Sequence, residues 1–196
     1  MKLDLQSKSF GTRPVLGDLV LSVSPGERLA ILGPSGIGKS TLLRILAGLD
    51  TNFRGNRSGS ERLAPVFQEP VLLPWRNALA NVTIPTGCPP GVAREWMARV
   101  GLAGHETKFP RQLSLGQQRR LSLARAFASD PQILLMDEPF ASLDAETASR
   151  MIALTADLLD RTGAGLVIVT HDPAEAEALS ARSVTLSGTP ARLQKD

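Results

Sequence analysis

The sequence predicts an α/β fold in which a mainly parallel sheet carries helices on both faces. Three observations predict it. Arg28–Leu32 is a short apolar run that passes through a glycine-rich loop into a helical pattern over 41–49. Ile133–Met136 and Leu166–Val169 are uninterrupted apolar runs, as strands covered on both faces must be. Between those two runs, Ala148, Met151, Ile152, Thr155, Leu158 and Leu159 recur at helical spacing. Strands alternating with helices connect most simply as parallel neighbours.

The remaining elements follow in order. Residues 2–10 and 19–23 alternate apolar and polar, as half-buried strands do, and Pro25-Gly26 marks a turn. Residues 50–62 are polar and rich in Gly, Ser, Asn and Arg, which predicts a loop or a poor hairpin. Leu63–Phe67 reads as a strand, and 77–101 as helical with a break at 85–91, where prolines and glycines cluster. Ser114 is placed to cap a helix over 115–129. A helix over 174–180 and a strand over 183–187 complete the pattern.

Bulk composition narrows the function classes. The 196 residues suit a single domain, and an apolar fraction of 42% supports a real core. The net charge is +3, with no run of like charges, so no nucleic-acid partner is expected. The single cysteine, Cys88, can build neither an internal disulfide nor a zinc site. The N-terminus alternates without an apolar h-region, so no secretory signal is predicted. No apolar stretch is long enough to span a bilayer, so any membrane role must run through a partner.

Residues 33–40, Gly33-Pro34-Ser35-Gly36-Ile37-Gly38-Lys39-Ser40, fit a nucleoside-triphosphate phosphate loop. The glycines let the backbone curl and turn several N–H groups toward one polyphosphate. Lys39 supplies a positive charge for the β and γ phosphates, and Ser40 a hydroxyl for Mg²⁺. Thr41 opens the following helix, whose N-terminal end favours the same anion. The motif alone does not choose among kinases, GTPases and transport ATPases. A GTPase is disfavoured because no Asn-Lys-x-Asp segment reads a guanine.

Asp137 and Glu138 stand just past a buried strand, where ligands of open parallel sheets sit. Asp137 is placed to hold Mg²⁺, and Glu138 to orient and polarise the attacking water. His171 follows Val167–Thr170 at a second strand end, within reach of a γ-phosphate. Gln68 follows a third strand and offers a neutral amide to the metal or the water. Ser114, Gly116 and Gln117 open a helix whose N-terminus is a second anion site, although in isolation they read as no more than a cap. A head-to-tail pair of chains would let both helix ends close on one nucleotide. Asp144 suits a helix cap equally well. His105 lies in a polar stretch and reads as surface.

Taken in this order, the segments resemble the ATP-binding cassette (ABC) transporter ATPase family, over about residues 2–188. The resemblance implies a P-loop NTPase with a RecA-like core, a small antiparallel β region and a helical subdomain near 70–125 within one cassette spanning 1–196. It implies ATP and Mg²⁺ as cofactors and two ATP molecules sandwiched between paired chains, most simply two identical ones. By position, Gln68 matches the family's Q-loop, Ser114–Gln117 its signature, Asp144 its D-loop and His171 its switch histidine. Phe10 sits where the family stacks an aromatic, usually Tyr, on adenine. Phe67–Trp75 is similar to importer ATPases of the nitrate, sulfonate and taurine group. That similarity implies transmembrane permease subunits docked near Leu72, Leu73 and Trp75, a substrate-binding protein, and a peripheral location on the cytoplasmic face of the inner membrane.

Three departures accompany the resemblance. Leu115 stands where the signature usually has Gly. The stretch from Lys39 to Gln68 is shorter than usual, so a trimmed β region is expected, and no regulatory extension is expected after the last strand. Two rivals follow: a cofactor-assembly ATPase of the same family, and a weakly hydrolysing regulatory module. Trp96 and Met97 are read as core of the helical part.

Overall fold

The computed structural model describes residues 1–194. Ten strands and six α-helices follow one another as β1 (Lys2–Phe10), β2 (Arg13–Leu16), β3 (Leu19–Ser22), β4 (Arg28–Leu32), α1 (Lys39–Leu46), β5 (Arg54–Ser58), β6 (Leu63–Val66), α2 (Ala78–Thr86), α3 (Pro90–Arg99), α4 (Leu115–Ala128), β7 (Ile133–Asp137), α5 (Ala145–Thr162), β8 (Gly165–Val169), α6 (Pro173–Ala178), β9 (Arg182–Ser187) and β10 (Arg192–Leu193).

The main sheet has the order β10-β9-β4-β8-β7-β6. All its pairs are parallel except β10 on β9. The order places β4, β8 and β7 side by side at its centre, so the loops leaving their carboxyl ends converge. That is where an open parallel sheet binds ligands.

Alternation along the central strands divides the core. Ala30, Leu134, Met136, Leu166 and Ile168 face one layer, which includes Leu121, Ala124 and Phe127 of α4 and Leu158 of α5. Leu29, Ile31, Ile133, Leu135, Val167 and Val169 face the other, which includes Leu42, Leu43, Ile45 and Leu46 of α1. The fully apolar strands are thus explained by cover on both sides. The antiparallel strands add Leu3, Leu5, Leu19 and Leu21 to the second layer. On the first, α2 and α3 pack against α4, and Trp96 stacks on Phe127 at 5.4 Å between centroids. Met97 is fully buried there.

The structure departs from the sequence expectations in a few places. Residues 54–58, expected as a loop or poor hairpin, form β5 on β1. Arg-Gly-Asn-Arg-Ser has no apolar alternation to announce a strand. Main-chain pairing makes it, and at Gly55 a Cβ would come within 2.2 Å of the Asp4 carbonyl oxygen. Strands β2 and β10 were not expected at all. Helix α1 begins at Lys39, two residues earlier than its apolar pattern, and ends before Gly48 and Leu49. The expected break at 85–91 is narrower: Pro85 stays in the last turn of α2, Gly87 caps it in a left-handed conformation, and Pro90 opens α3.

Candidate active site

The phosphate loop curls between β4 and α1. Gly38, the residue before α1, adopts φ 113°, a backbone that only glycine takes without strain. A Cβ there would lie 2.8 Å from Leu16 Cδ2 and 3.0 Å from Val15 Cγ1, so β2 packs directly on the loop. Lys39 is buried, and its Nζ donates to the carbonyls of Gly33 at 2.8 Å and Pro34 at 3.2 Å. The ammonium is therefore tied back across its own loop.

Two neighbouring strand ends converge here, one on this cation and one on its carboxylate partner. From β7, the Glu138 carboxylate lies 3.1 Å from Lys39 Nζ. From β8, His171 Nδ1 lies 3.3 Å from the other oxygen of Glu138. Glu138 itself has φ 41°, an unusual conformation for a residue with a Cβ, and its N–H donates to Val169 of β8 at 2.9 Å. The backbone turn aims the side chain back over the loop. Its neighbour Asp137 accepts a 2.8 Å hydrogen bond from Ser40 Oγ.

Burial pushes the Asp137 carboxyl above its ordinary range, and the adjacent Glu138 charge adds to the rise, against the Ser40 hydrogen bond and the Arg44 and Lys39 charges. Asp137 and Ser40, bonded to each other beside Glu138, are oxygen donors that could hold a divalent cation.

A cleft of about 300 Å³ opens over the loop, lined by Phe10, Arg13, Val15, Gly36, Gly38, Lys39, Ser40, Thr41 and Glu138. Phe10 stands 56% exposed at its rim. Beneath the ring, Lys8 Nζ lies 4.6 Å from the centroid while ion-paired with Asp50 at 2.7 Å. Arg13 and Val15 escaped sequence reasoning. They enter the cleft because β2 turns back on β1 through two residues, with Phe10 opposite Arg13. The Gly11-Thr12 pair between alternating segments was the available signal.

The other candidates lie elsewhere in the protomer. Ser114 accepts from Gln117 N at 3.2 Å while Gln117 Oε1 accepts from Ser114 N at 2.9 Å, a reciprocal cap at the start of α4. Gln117 also reaches His105 Nε2 at 3.2 Å, so His105 is a neighbour of the cap and not merely surface. Asp144 caps α5 through Thr147 N at 2.9 Å. Gln68 lines a separate cavity of about 670 Å³ with Leu72, Leu115, Arg119 and Ser142. None of Gln68, Ser114, Gly116, Gln117 and Asp144 lines the cleft at the phosphate loop of its own chain. Leu115 is exposed at that cavity rather than buried in the cap.

The ABC transporter family model matches residues 16–141. The chain belongs to that family. Its fold and phosphate loop are those of the family's ATP-hydrolysing cassette. It is 40% identical over 206 residues to the aliphatic sulfonates import ATP-binding protein SsuB 1 of Xanthomonas axonopodis pv. citri (strain 306), covering 97% of this chain and 82% of the relative. It is 46% identical over 181 residues to the corresponding protein of Granulibacter bethesdensis (strain ATCC BAA-1260 / CGDNIH1), covering 91% of this chain and 76% of the relative. Among solved structures it resembles the dimeric post-hydrolysis state of the ATP-binding cassette MJ0796 bound to ADP and Pi. The TM-score is 0.82 at 28% identity, over 100% of this chain and 97% of that one. Among the described residues, no helix of this family member is long and apolar enough to cross a membrane.

Proposed function

We propose that this chain is the ATP-hydrolysing subunit of an ABC importer, working as a pair with a second cassette. The observation that carries the reading is the convergence of Lys39, Ser40, Asp137, Glu138 and His171 at three adjacent strand ends. The import role rests on the relatives named for import of aliphatic sulfonates, at about 40% identity across the chain.

In this reading Lys39 and the loop N–H groups hold the triphosphate, and Phe10 stacks on adenine with Arg13 beside it. Ser40 and Asp137, with Gln68, would hold a Mg²⁺ ion, which would supply positive charge to offset that of the triphosphate. Glu138 orients a water in line with the γ-phosphate, ADP departs as the bond to its β-phosphate oxygen breaks, and His171 steadies the transferred γ-phosphoryl through a hydrogen bond. Ser114, Gly116 and Gln117 serve the partner's nucleotide, which accounts for their distance from the cleft of their own chain. Asp144 lies at the same interface.

Permease subunits dock on the 70–75 loop, and the cassette sits peripherally on the cytoplasmic face of the membrane. A substrate-binding protein feeds the permease from the other side. A cofactor-assembly role lacks any observation in its favour. The test is Mg²⁺-dependent phosphate release by the purified chain with and without its co-expressed permease. Turnover that needs no divalent cation, or none in either preparation, overturns the reading.

A further inference from the structure

Arg119 in α4 is 7% exposed. Its guanidinium donates to two carbonyls of the loop after β7, Nη1 to Pro139 at 3.2 Å and Nη2 to Ala141 at 2.8 Å. Among the described residues no carboxylate pairs with it, and its Nε has no partner. Burial accordingly lowers its pKa, yet a guanidinium stays charged. A buried cation held only by carbonyls is a poor stabiliser, and an apolar side chain of similar length would satisfy packing alone.

The loop it grips is strained at both ends. Glu138 and Ser142 adopt φ 41° and 61°, left-handed values for residues with side chains. Its turn bonds are Ala141 N to Glu138 O at 3.2 Å and Leu143 N to Phe140 O at 3.3 Å, and Phe140 is buried in the core. Val169 and the buried Phe140 ring hold the segment at Glu138 and at its middle, and Arg119 adds two bonds to its main-chain carbonyls. The same side chain lines the cavity where Gln68, Leu115 and Ser142 meet.

We infer that Arg119 is a positioning residue for Glu138, linking the helix that begins at Ser114 to the water-orienting carboxylate of the same chain. This rests on the role given to Glu138 above. Because the start of α4 serves the partner's nucleotide, a shift of α4 on closure pulls the 139–141 carbonyls and re-aims Glu138. Closure at one ATP site thereby sets the base at the other.

The test measures turnover, KM and nucleotide affinity for Arg119→Met and Arg119→Lys, each alone and with Glu138→Gln. A carboxylate misplaced by about an ångström lowers kcat by roughly 10- to 100-fold, so Arg119→Met falls in that range. KM and ATP affinity without Mg²⁺ stay within about twofold, since ground-state binding is untouched. Arg119→Lys, with one donor centre instead of a fork, recovers part of kcat. On the Glu138→Gln background neither change lowers turnover further, because both act through one carboxylate. Wild-type kcat in folded Arg119→Met, or an undiminished further loss on the Glu138→Gln background, overturns the inference. Should Arg119→Met not fold, Arg119→Lys decides, and wild-type kcat there overturns it too. A Glu138→Gln chain that hydrolyses normally overturns the underlying role of Glu138 instead.

Discussion

Lys39 Nζ and Glu138 Oε1 lie 3.1 Å apart across the mouth of the phosphate loop. In the proposed function, the ammonium that meets the phosphates is thus shared with the carboxylate that faces the water. Incoming ATP competes with Glu138 for Lys39, and a second negative charge close to the γ-phosphate opposes binding. Glu138→Gln removes both effects. We expect it to bind ATP more tightly than the native chain while turnover falls by roughly 10²–10⁴. Equilibrium binding beside phosphate release checks this; weaker ATP binding would argue that the ion pair preorganises Lys39 instead.

Gly38→Ala tests how tightly β2 holds the loop. The new methyl meets Leu16 Cδ2 at 2.8 Å and Val15 Cγ1 at 3.0 Å, at φ 113°. Backbone strain of this kind costs about 1–3 kcal/mol. We expect a lower midpoint of thermal unfolding and loss of nucleotide binding, because relief of the clash moves the N–H groups that cradle phosphate. Calorimetry and ATP titration measure the two. Full affinity in the variant would show that β2, not the loop, gives way.

The parts of this molecule that were legible in the sequence are those built from side-chain pattern. Ile133–Met136 and Leu166–Val169 announce buried strands because each of their faces meets a different apolar layer. The meeting of Lys39, Ser40, Asp137 and Glu138 was legible because each stands at the carboxyl end of a strand whose apolar run the sequence shows. What was not legible depends on main-chain pairing. β5 pairs through backbone groups of Arg-Gly-Asn-Arg-Ser, and β2 brings Arg13 into the cleft only because β1 folds back on it. Arg119 was hidden for a further reason: nothing in a run of helical residues tells which arginine turns inward to hold a strained loop.

Glu175 gives a stability prediction with a definite sign. Burial raises its pKa, with the Asp172 and Glu138 charges adding to the rise against the hydrogen bond from Thr170 Oγ1 at 2.6 Å. The folded state therefore holds the proton to higher pH than the unfolded chain does. Below the unfolded pKa both states are protonated and nothing is lost. As pH rises through the window up to the folded pKa, the unfolded state ionises first and stability falls. Glu175→Gln mimics the protonated form and keeps an oxygen for Thr170. We expect it to raise the unfolding midpoint at neutral pH, with the gain shrinking as pH falls into the ordinary carboxylate range. A gain that grows on acidification would reverse the sign.

A change at Trp75 tests whether partner docking is separable from catalysis. The loop that carries it is fastened from both sides. Asn81 of α2, fully buried, accepts from Leu73 N at 2.7 Å and donates to Leu73 O at 3.1 Å. Ser122 and Arg125 of α4 hold the Pro70 carbonyl at 2.7 and 3.1 Å. With the loop so fixed, the Trp75 side chain contributes little to folding and stands 67% exposed, as does much of Val71 on the same loop. An exposed indole on a fastened loop is suited to anchor a protein partner, and loss of such an anchor costs about 2 kcal/mol or more of binding. Its removal from a folded surface changes stability by only about 0.5 kcal/mol. We expect Trp75→Ala to keep the unfolding midpoint and the phosphate release of the isolated chain while it no longer co-purifies with the co-expressed permease. Retained association at native stoichiometry and salt would move the docking surface off this loop.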